Sequence, residues 1–143
     1  MKINIKKLEP DAIIPTKGSD AAAGVDLYSP RALAIHPGSN GIINTGLAIE
    51  IPDGYFGAIF ARSGMATRKG LRPANCVGVI DSDYRGEIIV VLHNDTDIIR
   101  PVQEGDRIAQ LVILPYEKIE FSEVEELTDT ERAGGGFGST GKN

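Results

Sequence analysis

The chain has 143 residues, 41% of them hydrophobic and 24% charged, which suits one folded domain with a real core and excludes a disordered segment. Its formal net charge of -5 gives no general attraction to nucleic acid or to anionic membranes, so any phosphate-binding groups must be local. Cys76 is the only cysteine, which rules out an intrachain disulfide and a cysteine-built zinc cluster and fits a reducing compartment.

Met1 to Lys7 alternates polar and apolar residues as a strand does and lacks the long apolar core and cleavage site of a signal peptide. No apolar run approaches the length of a membrane span, and a cytoplasmic location is expected. In Ala22-Ala23-Gly24-Val25-Asp26-Leu27, small residues precede an acid set between two apolar neighbours. An inward-pointing acid there needs an arginine, a metal or a hydrogen-bonded water.

Short apolar segments follow at Ala32 to Ile35, Ile42 to Ile51, Gly57 to Phe60, Val77 to Ile80, Ile88 to Leu92 and Ile108 to Leu114. Turn signals at Pro37-Gly38, Pro52-Asp53-Gly54, Gly70, Asn94-Asp95, Glu104-Gly105-Asp106 and Pro115 separate them. Strands at such spacing predict an all-β fold, a sandwich, jelly roll or barrel. One short helix is predicted over Gly64 to Lys69, opened by Ser63 as its N-cap and closed by Gly70. Arg62-Ser63-Gly64, where a strand meets that helix, suits either an anion site or an ordinary cap with a solvent-facing arginine.

Gly78-Val79-Ile80-Asp81-Ser82-Asp83-Tyr84-Arg85-Gly86-Glu87 sets a carboxylate and an aromatic ring three residues apart on a bend. The run after it, Ile88 to Leu92, reads as a strand buried on both faces. Asp81 at a strand end is placed to take a proton from water and Tyr84 to offer a flat ring, while the plainer alternative is an Asp-rich turn capping its own backbone. Around Gln110 the strand alternates Arg107, Ala109 and Leu111 against Ile108, Gln110 and Val112. That amide serves either a structural hydrogen bond or a ligand. His36 and His93 stand apart from any serine or acid that would complete a hydrolytic triad.

After the acidic stretch Glu117 to Arg132, the chain ends in Arg132-Ala133-Gly134-Gly135-Gly136-Phe137-Gly138-Ser139-Thr140-Gly141. Glycines let peptide N–H groups approach an oligophosphate, and Phe137 wants an apolar surface such as a nucleobase. It is neither a Walker A loop nor a dinucleotide fingerprint. It reads as a mobile arm of residues 131–143 behind a β-domain of residues 1–130, a lid or else a floppy tail.

In order and in sum, the segments Ala23 to Leu27, Arg62 to Ala66, Gly78 to Glu87, Gly105 to Leu111 and the glycine-rich tail resemble the five motifs of the trimeric deoxyuridine triphosphatase (dUTPase) family. Two departures are Ala61, where the family usually has proline before the arginine, and Ala133, where it usually has glycine after Arg132. The resemblance implies a jelly-roll fold, a homotrimer with shared active sites, and Mg2+-assisted hydrolysis of dUTP to dUMP and pyrophosphate. That reaction limits uracil in DNA and supplies dUMP for thymidylate synthesis. Carried over by motif, Asp81 is the base that activates water. Asn75, Gly78, Val79 and Ile80, on a hairpin, read uracil through the main chain, and Tyr84 packs under the deoxyribose. Arg62, Ser63, Gly64 and Gln110 face the phosphates, and Asp26 reaches the metal through water. Arg132, Phe137, Gly138 and Ser139 close over phosphate and base. The related dCTP deaminases and a nucleotide-sensing module without turnover are the competing readings. Pyrophosphate or ammonia release tells them apart.

Overall fold

The computed structural model describes residues 1–136. Its strands are β1 (Asn4–Lys7), β2 (Thr16–Lys17), β3 (Val25–Tyr28), β4 (Leu33–Ile35), β5 (Asn40–Asn44), β6 (Leu47–Glu50) and β7 (Tyr55–Phe60). The helix α1 (Ser63–Lys69) follows, then β8 (Leu71–Pro73), β9 (Gly78–Ile80), β10 (Ile89–Asn94), β11 (Arg100–Val102) and β12 (Arg107–Pro115). All pairings are antiparallel. A five-stranded sheet in the order β2-β3-β12-β7-β9 packs near a three-stranded sheet β5-β10-β8, with the pairs β1-β6 and β11-β4 beside them. The jelly-roll-like, all-β architecture is the expected one.

The core is aliphatic. Leu27, Leu71, Leu92, Val102 and Ile108 are almost wholly buried, and Met65 is the one side chain that α1 contributes to it. Two buried polar residues hold turns within this apolar frame. Asn94 donates Nδ2 to the carbonyls of Ile35 and Ile98 at 2.9 and 2.8 Å and accepts from Thr96 N and Oγ1 at 2.9 and 2.7 Å. Thr45 Oγ1 donates to Ile88 O at 2.7 Å.

Four local expectations change. The segment Ile42 to Ile51 is two strands, because Gly46 turns left-handed (φ 68°) between them and packs on Ala12 too closely to carry a Cβ. Ser63 is the first helical residue rather than the cap: the N-cap is Arg62, which makes no side-chain cap, while Gly70 closes the helix as expected with φ 64°. The run Ile88 to Leu92 is not buried on both faces, since Val90 and Leu92 enter the core but Ile89 stands beside Ile42 and Val91 on an open face of the three-stranded sheet.

The fourth change is at Asn75 to Ile80, which is not a paired hairpin. β8 belongs to the three-stranded sheet and β9 to the five-stranded one. The corner between them is tied by Ala74 N to Val91 O and Cys76 N to Pro73 O. Val77 N bonds Asn75 O at 2.7 Å around Cys76 in a left-handed conformation, φ 63°. β9 therefore lies at the sheet edge, paired with β7 on one side only.

Candidate active site

Two clusters of the expected residues form, and they lie apart. The first lines a cavity of about 430 Å3 that includes Gly24, Asp26, Arg62, Ser63, Arg107 and Gln110. Asp26 is buried and shared between two guanidiniums, with Arg62 Nε at 2.6 Å from Oδ1 and Arg107 Nη1 at 3.3 Å from Oδ2. Arg62 Nη1 also reaches the Arg107 carbonyl at 3.5 Å. The acid thus has the arginine partner that its apolar setting requires. Gln110 sits opposite Asp26 in the β12-β3 ladder and donates Nε2 to Ala61 O at 2.9 Å, which anchors the strand end that carries Arg62. Ser63 is exposed, and its hydroxyl has no partner among the described residues.

A β-bulge explains this grouping. The ladder between β12 and β3 slips between Arg107 and Ala109, so Ile108 and Ala109 are both buried where strict alternation would bury only one. Arg107, opposite Tyr28, thereby shares the face of Asp26 and Gln110 instead of the core face of Ala109 and Leu111. Gln110 consequently looks away from the core, against the alternation read from sequence, and Arg107 enters a site for which the sequence reading gave it no role. The need of Asp26 for an arginine was the available signal.

The second cluster surrounds the free edge of β9. A cavity of about 220 Å3 is lined by Asn75, Gly78, Val79, Ile80, Asp81 and Tyr84 among others. It adjoins one of about 370 Å3 that reaches Ala74 and Val91. Asp81 follows the last residue of β9. Its carboxylate is exposed and unpaired among the described residues, while its carbonyl accepts Tyr84 N at 3.1 Å. Tyr84 is half-exposed, lies over Gly86 where a Cβ would collide with the ring, and donates its hydroxyl to Glu87 O at 3.0 Å. Arg85 Nη1 closes the bend on the carbonyls of Ser82 and Tyr84 at 2.6 and 3.0 Å.

The two clusters line separate cavities with no residue in common. Through the β9-β7-β12 register Gly78 lies on the face of Ile59 and Leu111, and Val79, opposite Ala58 and hence level with Val112, on the face of Gln110 and Asp26. Arg132, exposed, donates Nε to Gly135 O at 3.1 Å and contacts neither cluster, and Ala133 takes a left-handed φ of 42° that glycine would adopt without strain. Phe137, Gly138 and Ser139 lie outside the described residues. Among the described residues no three of His, Cys, Asp and Glu gather to hold a metal, and no helix is long and apolar enough to cross a membrane.

A protein-family model described as dUTPase matches residues 10–141. The chain belongs to the dUTPase family. It is 51% identical over 142 residues to the deoxyuridine 5'-triphosphate nucleotidohydrolase of Nautilia profundicola, covering 99% of this chain and all of the relative. The enzyme of the same name from Candida albicans is 47% identical over 136 residues, 94% of this chain and 84% of that one. Among solved structures, the dUTPase of Staphylococcus bacteriophage 80alpha with dUpNHpp superposes with a TM-score of 0.91 at 29% identity, covering 99% of each chain. A dUTPase from phage phi11 of S. aureus, which coordinates a structural Mg(II) ion, gives 0.79 at 28% identity over 88% of this chain and 98% of that one. This dUTPase chain thus shares its fold with its relatives over nearly its whole length.

Proposed function

We propose that the chain hydrolyses dUTP to dUMP and pyrophosphate, with Asp81 as general base. The observation that carries this is the exposed carboxylate of Asp81, unpaired among the described residues, at the end of an edge strand that pairs with β7 on one side only. An edge strand offers alternating N–H and C=O groups, the complement of uracil's acceptor-donor-acceptor edge. Asn75, Gly78, Val79 and Ile80 read the base, and Tyr84, fixed by its hydroxyl, packs under the deoxyribose. A 5-methyl or 4-amino group is refused by clash or by an unmatched donor.

Arg62, Ser63, Gly64 and Gln110 take the phosphates. Water attacks the α-phosphorus, its proton passes to Asp81, and the bond to the bridging oxygen breaks to release pyrophosphate. Mg2+, which Asp26 would reach through water, would offset the charge of that leaving group when bound with the triphosphate. Asp26 fits a role beyond its arginines, because two of about four acceptor positions on a carboxylate remain for a metal-bound water. The substrate's phosphates would hold that cation in the main, with Asp26 reaching it only through water.

Each cavity offers only part of a nucleotide site, one the phosphate groups and the other the base edge, with no lining residue in common, which supports a homotrimer with shared sites. A second copy completes each site. Residues 131–143 act as a lid, with Arg132, Phe137, Gly138 and Ser139 closing over phosphate and base while residues 1–130 carry the rest.

The test is pyrophosphate and ammonia release from a panel of deoxynucleotides with Mg2+. Pyrophosphate from dUTP alone is expected. In Asp81→Asn, dUTP should still bind but turn over at least ~100-fold more slowly, with unchanged melting because the side chain has no partner to lose. A near-normal rate would reassign the base.

A further inference from the structure

The cavity around Asp26 poses a charge question. Asp26 and Arg62 alone form a neutral pair, and a neutral pair has little attraction for a polyanion. A third charged group is present: Arg107 on the second carboxylate oxygen. Two guanidiniums and one carboxylate leave the cluster one positive charge in excess, in a chain whose total is negative. The Asp26 and Arg62 side chains are 11% and 26% exposed, so their pair is largely shielded from bulk screening, while Arg107 meets solvent at the cavity wall.

Position matters as much as count. The β12 bulge turns Arg107 onto this face, and its carbonyl receives Arg62 Nη1 while Asp26 receives Arg62 Nε. Arg62 is therefore held through Nε and Nη1, and its remaining N–H donors, those of Nη2 among them, are left for a ligand.

From this geometry we propose that Arg107 is a positioning residue that makes the cavity an anion site: by sharing Asp26 with Arg62, it leaves the cluster one positive charge in excess and the remaining Arg62 donors available to the polyphosphate of a nucleoside triphosphate. This rests on the hydrolase reading above for the identity of the nucleoside, but the charge argument concerns the phosphates alone. Arg107 itself is half-exposed at the cavity wall and acts through Asp26 and Arg62.

The experiment compares wild type, Arg107→Gln and Arg107→Lys by titration calorimetry with inorganic tripolyphosphate and with deoxyuridine, alongside steady-state dUTP kinetics. Arg107→Gln should weaken tripolyphosphate at least tenfold and raise KM for dUTP comparably, leave deoxyuridine affinity within twofold, and bind tripolyphosphate with a flatter salt dependence. Arg107→Lys, keeping the charge, should recover most of the loss. Equal weakening of both ligands in Arg107→Gln would mean general damage and overturn the proposal. So would unchanged tripolyphosphate affinity, a wild type that binds no tripolyphosphate, or a lysine variant no better than the glutamine one. A wild type without dUTP turnover, yet with tripolyphosphate binding that depends on Arg107, would end the hydrolase reading and leave this inference standing.

Discussion

Gly78→Ala separates the packing of β9 from its proposed reading of the base. A Cβ at Gly78 would stand 3.2 Å from Ile59 Cβ and 3.5 Å from Asn75 Nδ2. Ile59 is buried in the core and cannot swing aside, so the three-residue edge strand must yield by a few tenths of an ångström. Overpacking of that size at a sheet edge costs about 1 kcal/mol, near the low end of the known range. For a chain of this length it lowers Tm by about 4 °C. A misplacement of 1 Å at a reacting centre costs about a hundredfold, so a shift of a few tenths costs about fourfold to tenfold in kcat/KM. Thermal melting and dUTP kinetics, run side by side, check both figures. A lowered Tm with unchanged kcat/KM would show that β9 moved and the substrate did not notice, which refutes base reading by this edge.

Asn94→Ala removes a fully buried side chain and with it the partners of the buried Ile35 carbonyl and of the part-buried Ile98 carbonyl and Thr96 N, so a loss of about 3 kcal/mol and of about 10 °C in Tm is expected by calorimetry, with any activity retained at low temperature. The Asp53 carboxyl is held below its ordinary pKa by hydrogen bonding and attraction to Lys118, 2.7 Å away. A depressed folded-state pKa stabilises above the unfolded value and is lost as pH falls through the folded one, so the Asp53–Lys118 contact should release only below the usual carboxylate range. Carboxyl NMR titration should find the ordinary value restored in Lys118→Gln. Removal of the residues after Thr130 should cut dUTP turnover strongly and leave Tm unchanged, since among the described residues Arg132 bonds only within its own turn; full turnover in that truncation would dismiss the lid.

Turn chemistry and strand identity were legible because they are local. Gly70 closes α1 and Asp81 follows a strand as read. Asp26 announced its need for a cation from its apolar neighbours alone, yet one of its two partners, Arg107, lies far along the chain and reaches it through a bulge. A bulge adds one residue to a ladder without changing composition, so strict alternation assigned Arg107 and Gln110 to opposite faces when they share one. The Asn75 to Ile80 corner failed differently. Its residues signal a turn, but which sheet each flank joins is decided by non-local pairing with β10 and β7. The open face of Ile89 escaped notice for a similar reason, as a β-branched run does not say whether a second layer will cover it.

A recognition surface made of peptide groups answers to heredity differently from one made of side chains. In β9, Val79 is 64% exposed and Gly78 carries no side chain, while the free edge presents the same donors and acceptors whichever residues other than proline bear them. Drift at Val79 among residues that keep their N–H leaves that pattern intact. A base-mimicking inhibitor docked on this edge would meet few routes of escape, chiefly those substitutions, such as at Gly78, that displace the strand itself.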